Sequence, residues 1–327
     1  MPPFRRQPVT AAAAALAGLA LFAYAVRRAG VAEIVDGIQR VGWGLLAILA
    51  LAGLRFLIRA ECWRWCLPPG TSFPRPRALA AFLAGDAVGN VTPLGLLASE
   101  PTKVLLTRHH LATREAVSSL AVENLVYAAS VIAMVAVGLA AAAATVPMPR
   151  AWLTIIVALL MALGAGTIVV VRAMRGTWDE RRGPRPRWRE RLAAVREEVL
   201  RFSGGYPRRL WRVLALDLAF HALAVLEVFL TLRWVLGDQS PTLVQAVVFE
   251  ALNRVITVAF KFVPFRVGVD EASAAALAPI LAVNPAAGVA LAVVRKIRNL
   301  FWAAIGLMLV GAHPAGDASA VKATKTY

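Results

Sequence analysis

The sequence predicts an all-α polytopic membrane protein, with about six full spans and two re-entrant half-helix pairs arranged as an inverted repeat. Of its 327 residues, 59% are hydrophobic and 17% are charged, whereas soluble domains carry about 25% charged residues. The mean hydropathy is +0.65. Apolar runs of about 20 residues recur, long enough to cross a hydrocarbon core of roughly 30 Å. A proline followed seven residues later by a glutamate occurs twice in apolar sequence, at Pro93 and Glu100 and at Pro264 and Glu271.

The long apolar runs define the elements in chain order. The candidate spans are 9–26, 42–60, 114–138, 151–171, 210–236 and 286–311. Two further apolar regions, 77–107 and 243–276, are interrupted near their middle by proline, glycine and charge. Non-helical backbone at membrane depth is tolerated only where it is buried in protein or lines a wet cavity. Each region is therefore predicted to be a re-entrant pair of half-helices, with breaks at Pro93, Gly95, Pro264 and Gly268.

Orientation follows from the distribution of arginine and lysine. Thirteen arginines lie between positions 172 and 212, which predicts a cytoplasmic loop. Counting spans from this loop places both termini in the cytoplasm and brings the two re-entrant pairs in from opposite faces. Arg27 and Arg28 oppose this scheme weakly. The prediction is one membrane domain, 1–311, with repeats at 42–138 and 210–311, a basic loop at 173–208 and a flexible cytoplasmic tail at 312–327.

The basic loop contains an amphipathic segment at 188–202. Its apolar residues recur at spacings of four and three, at Trp188, Leu192, Val195, Val199 and Phe202. A basic amphipathic helix is typical of a segment lying on an anionic leaflet. The alternative is a helix packed on the cytosolic face of the protein itself.

Charged and polar groups at membrane depth are the candidate site. A charge at the bilayer centre costs at least about 2.5 kcal/mol, so such groups pair or face water. The candidate substrate-binding residues are Glu100, Glu271, Arg298, Arg295, Glu123, Arg55, Asp86 and Asn90. The alternative for Glu100, Glu271, Glu123 and Arg298 is a purely structural ion pair. We expect Arg59 to snorkel to the interface and Asp217 to be hydrated there.

Other function classes find little support. The net charge of +17 is not accompanied by a nucleic-acid-binding module. The sequence contains no HExxH, GxSxG or Walker A motif, so we expect no enzyme activity, metal or cofactor. An acid–base pair formed by Glu100 and Glu271 is the remaining catalytic alternative.

A family resemblance is carried by the first break and by its counterpart. The residues are Gly89, Asn90, Pro93, Gly95, Ser99, Glu100, Lys103, Glu115 and Glu123, then Pro264, Gly268, Glu271 and Arg298. Over about 10–311 the chain resembles the membrane domain of lysylphosphatidylglycerol synthase and its stand-alone flippase-like relatives. It departs from them at Ala98-Ser99-Glu100, where Gly-Gly-Glu is usual, at Asn124, where arginine is common, and at Arg266, where a small residue is usual. The aminoacyl-transferase domain of the full synthase is not expected in this chain.

The resemblance implies translocation of a polar or anionic lipid across a bacterial inner membrane, through a cavity between the repeats. The resemblance implies a membrane lipid as partner. The pattern of 188–202 predicts binding to the anionic inner leaflet, and a homo-oligomer or an enzyme partner is also considered. The alternative is a non-transporting scaffold that holds a lipid-modifying or glycosyl-transferring enzyme.

Overall fold

The computed structural model describes residues 31–92, 95–146, 197–202, 204–237, 241–260 and 263–311, with isolated positions from 24 to 27 and from 150 to 166. Every regular element in these residues is helical. The first half forms α1 (Val31–Val41), α2 (Gly44–Cys66), α3 (Arg75–Val91), α4 (Leu96–Thr107) and α5 (Thr113–Thr145). The second half forms α6 (Pro207–Leu236), α7 (Leu243–Ala259), a 3₁₀ turn (Pro264–Arg266), α8 (Val269–Ile280) and α9 (Pro285–Gly311).

Two helices of the described part are long and apolar enough to cross a membrane, α5 with 33 residues and α6 with 30. A third span results if α1 and α2 are one bent element, with an angle of 74° between them. Gly42 lies at this bend with φ +45°, a conformation that glycine adopts at low cost. The predicted spans 9–26 and 151–171 fall outside the described residues except for isolated positions. Six spans thus remain a prediction.

Both interrupted regions form two helices separated by a break, as predicted. Region 77–107 becomes α3 and α4, and region 243–276 becomes α7 and α8. Helix α3 is followed by an extended Thr92, at φ −105° and ψ 140°, a conformation favoured before a proline. Helix α7 starts with a capping box in which Thr242 and Gln245 bond each other's backbone N–H groups, which satisfies donors at the helix start.

The two halves of the chain pack into each other. Helices α2 and α6 lie side by side, α3 packs on α9, and α7 packs on α5. Each short helix that precedes a break therefore contacts the long helix of the other half. Glycines allow these approaches, because a Cβ at Gly306 would collide with the Leu83 carbonyl oxygen and one at Gly138 with the Ala251 side chain.

The described end of the predicted amphipathic segment packs on the protein itself. Residues 197–202 are helical. Phe202 is 4% exposed and belongs to a buried cluster with Cys62, Cys66 and Val213, against which Val199 also packs. This end agrees with the second alternative for 188–202, and residues 188–196 lie outside the described part.

Candidate functional site

A cavity of 390 Å³ lies between the helices, and every helix from α2 to α9 contributes to its lining. Its walls are unusually charged for the interior of a largely apolar protein. The cationic lining residues are Arg55, Arg59, Lys103, Arg254, Arg266, Arg295 and Arg298, and the acidic ones are Asp86, Glu100, Glu250 and Asp270.

One side of the cavity is formed by a network of four arginines and two glutamates, here called the arginine network. It consists of Arg55 from α2, Glu227 from α6, Glu250 and Arg254 from α7, and Arg295 and Arg298 from α9. Both glutamates are buried, with 0% and 1% exposure. These residues come from both halves of the chain, so the network exists only in the assembled fold.

Glu227 is the centre of the arginine network. Its carboxylate accepts a hydrogen bond from Arg55 Nη1 at 2.9 Å and from Arg298 Nη1, and it lies 3.4 Å from Arg295 Nε. Glu250 accepts a hydrogen bond from Arg295 Nη2 and lies 2.8 Å from Arg254 Nη2. Each glutamate therefore serves at least two arginines.

The arginine network carries two positive charges that its own acids do not match. Four guanidinium groups stay protonated against two carboxylates. All four arginines line the cavity. Among the described atoms, the buried Nε groups of Arg55, Arg254 and Arg295 have no hydrogen-bond partner. Guanidinium groups bind phosphate and carboxylate through paired N–H donors, so this wall is suited to an anionic group.

The first break contributes another part of the cavity lining. Asn90 donates a hydrogen bond to Asp86 at 2.8 Å, and Lys103 donates one to Glu100 at 2.8 Å. The Lys103 ammonium also lies 4.0 Å from the centroid of the Phe82 ring. All five side chains line the cavity, and the second carboxylate oxygen of Glu100 is buried without a partner among the described residues.

Glycine at both 89 and 95 allows the first break to fold tightly. A Cβ on Gly95 would overlap the backbone of Gly89, and one on Gly89 would lie 3.2 Å from the Gly95 carbonyl oxygen. Gly95 also lines the cavity. Pro93, the other predicted break residue, lies outside the described part of the chain.

The second break has a different geometry. Phe265 and Arg266 have positive φ angles of 49° and 48°, and Gly268 has φ 81°. Such angles are costly for residues other than glycine and persist where the surroundings hold them. Lys296 of α9 does so here, because its ammonium donates to the Phe265 carbonyl oxygen at 2.5 Å. The 3₁₀ turn that begins at Pro264 packs against α3, the helix that precedes the first break.

The two glutamates of the repeated motif occupy unlike environments. Glu100 reaches the cavity and is paired with Lys103 on its own helix. Glu271 is 1% exposed, accepts a hydrogen bond from the backbone N–H of Gly268 at 2.8 Å, and lies 3.5 Å from Lys296 Nζ. Glu271 and Gly268 are not among the lining residues. The structure therefore does not bring Glu100 and Glu271 together around one point in the cavity.

A second charged cluster lies beside the cavity, here called the acid pair. It consists of Glu123 from α5 and Asp217 from α6, both of which face Arg59 from α2. Arg59 is 8% exposed and both acids are 0% exposed. The expectations that Arg59 snorkels and that Asp217 is hydrated are therefore wrong. An internal partner removes the need for either residue to reach water.

Of the predicted site residues, Arg55, Asp86, Asn90, Gly95, Glu100, Arg295 and Arg298 line the cavity. Glu123 lies behind the wall, in contact with Arg59. The predicted set omitted Lys103, Glu227, Glu250 and Arg254. Their charge at membrane depth was the sequence signal that could have identified them. Their ion-pair partners could not be predicted, because the pairs depend on contacts in the folded chain.

Comparison with known proteins gives one family. The family described as "Lysylphosphatidylglycerol synthase TM region" matches residues 10–306. No curated protein and no solved structure matches the chain significantly.

Proposed function

Because the chain belongs to the lysylphosphatidylglycerol synthase transmembrane family, a family of membrane domains related to lipid handling, we propose that it is a lipid translocator. It moves a polar or anionic lipid across the bacterial inner membrane through the central cavity. In this proposal the protein transfers the intact lipid and neither forms nor breaks a covalent bond.

The observation that carries this proposal is the unmatched positive charge of the arginine network at the cavity wall. Asp86, which also lines the cavity and faces Arg55 and Arg298, can balance only one of the two charges. Buried charge without a counter-ion is costly, and a lipid phosphate entering the cavity would supply the missing one. Arg295 and Arg298 are the proposed phosphate ligands, because both line the cavity and lie on the same face of α9, three residues apart.

Alternating access between two inverted halves is the proposed mechanism. Each short helix that precedes a break packs on the long helix of the other half, and residues of both breaks line the cavity. The Arg55–Glu227 ion pair joins positions 172 residues apart, close to the spacing of 171 between Glu100 and Glu271. Equivalent positions of two repeats in contact are expected along a pseudo-two-fold axis. Rocking of one half against the other would expose the arginine network to each side in turn.

We propose cytoplasmic termini and a cytoplasmic basic loop, as the arginine distribution favours. The repeats would then have opposite orientations in the membrane, and the cavity would lie near its midplane. Inverted-repeat transporters commonly place their substrate sites there.

The scaffold alternative is favoured by one observation. The acids that hold the arginines, Glu227, Glu250 and Glu123, are almost fully buried, as in a core built only for stability. In that case the arginine network is structural, and the protein holds an enzyme partner without moving lipid.

The test is lipid movement in proteoliposomes that contain fluorescently labelled phosphatidylglycerol, followed by quenching of the outer leaflet. The decisive variant is Arg295→Gln. Without Arg295, Glu227 retains Arg55 and Arg298, and Glu250 retains Arg254, so no buried acid loses its last partner. Loss of one charged hydrogen bond, worth about 1.5–3 kcal/mol, slows movement at least about tenfold.

The matched control is Arg233→Gln, at the exposed end of α6, which moves lipid at the wild-type rate. Equal rates for Arg295→Gln and wild type would reject the phosphate site. A wild-type rate equal to that of protein-free liposomes would reject translocation of this lipid and favour the scaffold.

A further inference from the structure

The acid pair has one negative charge too many. Arg59 Nη2 lies 2.7 Å from Glu123 Oε1, and Arg59 Nη1 lies 3.7 Å from Asp217 Oδ1. One guanidinium therefore serves two carboxylates. Both acids are fully buried, where an uncompensated charge is costly. The imbalance is opposite in sign to that of the arginine network.

Hydrogen bonding around the acid pair is incomplete. Within the described residues, Glu123 Oε2 and one oxygen of Asp217 lack a hydrogen-bond partner, whereas Glu123 Oε1 is held by the ion pair with Arg59. The Cys62 thiol lies 3.8 Å from the other Asp217 oxygen, a weak contact. Buried polar atoms are normally bonded, so unpartnered carboxylate oxygens indicate room for a proton that would bond there.

His221 gives a second, independent indication that hydrogen bonding around the acid pair is incomplete. It lies one helical turn after Asp217 and is 4% exposed. Its Nε2 is 3.0 Å from Ser130 Oγ, whose hydroxyl donates to the Tyr127 carbonyl oxygen at 2.8 Å. The tautomer of the ring decides which of Nε2 and Ser130 Oγ donates. Nδ1 is buried without a partner in the described part of the chain.

Arg59 and Tyr127 connect the acid pair to the cavity. Both residues line the cavity, and the Arg59 guanidinium lies 3.6 Å from the centroid of the Tyr127 ring. The Tyr127 hydroxyl accepts a hydrogen bond from Arg254 Nη1 at 3.1 Å. A change in the charge around Arg59 therefore acts directly on the wall that holds the proposed anion.

We propose that Asp217, together with Glu123 and Arg59, binds one proton, and that this proton is carried with an anionic lipid. This inference rests on the proposed function. With Asp217 ionised, two carboxylates hold Arg59. With a proton bonded to an Asp217 oxygen, Arg59 is held by Glu123 alone and turns toward a phosphate in the cavity. Asp217 is the acceptor because its distance from Arg59 is the longer of the two.

The balance of charge is simple. One proton is taken from water on the side to which the cavity opens, and it is released on the other side with the lipid. A phosphodiester lipid with one negative charge and one proton together move no net charge. Since linkage is reciprocal, the proton strengthens anion binding by the same factor by which the anion strengthens proton binding.

The other charged and titratable groups that face the acid pair come from each neighbouring helix. Glu100 and Lys103 from α4 are paired with each other, Arg55 from α2 is paired with Glu227, and Arg254 and Glu250 from α7 are also paired. The remaining groups within reach are Cys62, Tyr127 and His221. The neighbouring charged groups are therefore already paired, and the excess negative charge belongs to Asp217 and Glu123.

The decisive variant is Asp217→Asn, a mimic of the protonated state that leaves the Arg59–Glu123 pair balanced. Proteoliposomes with labelled phosphatidylglycerol are held at a constant pH difference until the leaflet ratio is steady. For one coupled proton, one pH unit sustains up to about a tenfold ratio between leaflets. The wild type follows this pH difference. The variant gives equal leaflets but still moves lipid when the two pH values are equal.

Asp36→Asn is the matched control, because Asp36 is 56% exposed and paired with Arg40 on the surface; it behaves as wild type. Equal leaflets in the wild type, or an unchanged ratio in Asp217→Asn, overturns the coupling. If neither protein moves lipid, the translocation proposal fails separately. Infrared difference spectra between about pH 8 and about pH 5 then test whether Asp217 binds a proton. A protonated-carboxyl signal that Asp217→Asn removes upholds the site, and its absence from the wild type overturns it.

Discussion

Glu227→Gln is expected to be the most damaging conservative substitution in the cavity wall. The carboxylate is 0% exposed and faces Arg55, Arg295 and Arg298. Glutamine keeps the shape and removes the charge, so four arginines would face Glu250 alone. Removal of one partner from a buried ion pair costs about 3–5 kcal/mol. At about 2–4 °C per kcal/mol, the midpoint of thermal unfolding falls by about 6–20 °C.

The assay is thermal unfolding in nanodiscs, followed by tryptophan fluorescence. Glu61→Gln is the matched control, because Glu61 also accepts from two arginines, Arg64 at 2.9 Å and Arg75 at 2.8 Å, but is 24% exposed. Exposed pairs contribute about 0–1 kcal/mol, so its midpoint falls by less than about 4 °C. Phosphatidylglycerol in the nanodisc raises the midpoint of Glu227→Gln more than that of the wild type. Equal shifts for Glu227→Gln and Glu61→Gln would refute the assigned charge balance.

Two further substitutions test the packing and the second break. Gly306→Ala lowers stability by about 1–3 kcal/mol, because its Cβ would collide with the Leu83 carbonyl oxygen. The control Gly311→Ala is neutral, because position 311 has open space around it. Equal midpoints of thermal unfolding for the two variants would contradict the close α3–α9 contact. Lys296→Gln weakens the bond to the Phe265 carbonyl oxygen and removes the charge that faces Asp270 and Glu271, and one charged hydrogen bond alone is worth about 1.5–3 kcal/mol. Amide exchange in residues 263–268 therefore accelerates about tenfold or more, and unchanged exchange would show that Lys296 does not hold the turn.

The helices and their breaks were predictable because they depend on local sequence. Apolar runs gave α2, α5, α6 and α9, and proline and glycine within apolar sequence located both breaks. The equal spacing of Glu100 and Glu271 from their prolines did not reveal their different roles. Glu100 is paired within its own helix, but Glu271 is paired with Lys296 of α9, a contact made only by the folded chain.

The composition of the site was only partly predictable for the same reason. Charge at depth identified Arg55, Arg295 and Arg298, yet the acid that joins them, Glu227, lies 172 residues from Arg55 and 71 from Arg298. Arg59 was expected at the interface because a long side chain can snorkel. Its burial follows from two acids on α5 and α6, whose convergence on α2 is a tertiary property.

The central claim is that the arginine network receives a lipid phosphate inside the cavity. The most direct measurement is an electron cryo-microscopy structure of the protein in nanodiscs rich in phosphatidylglycerol. The account predicts phosphate density between the breaks, within hydrogen-bond distance of Arg295 and Arg298. Lipid density confined to the protein perimeter, with all four arginines still paired to Glu227 and Glu250, would contradict it.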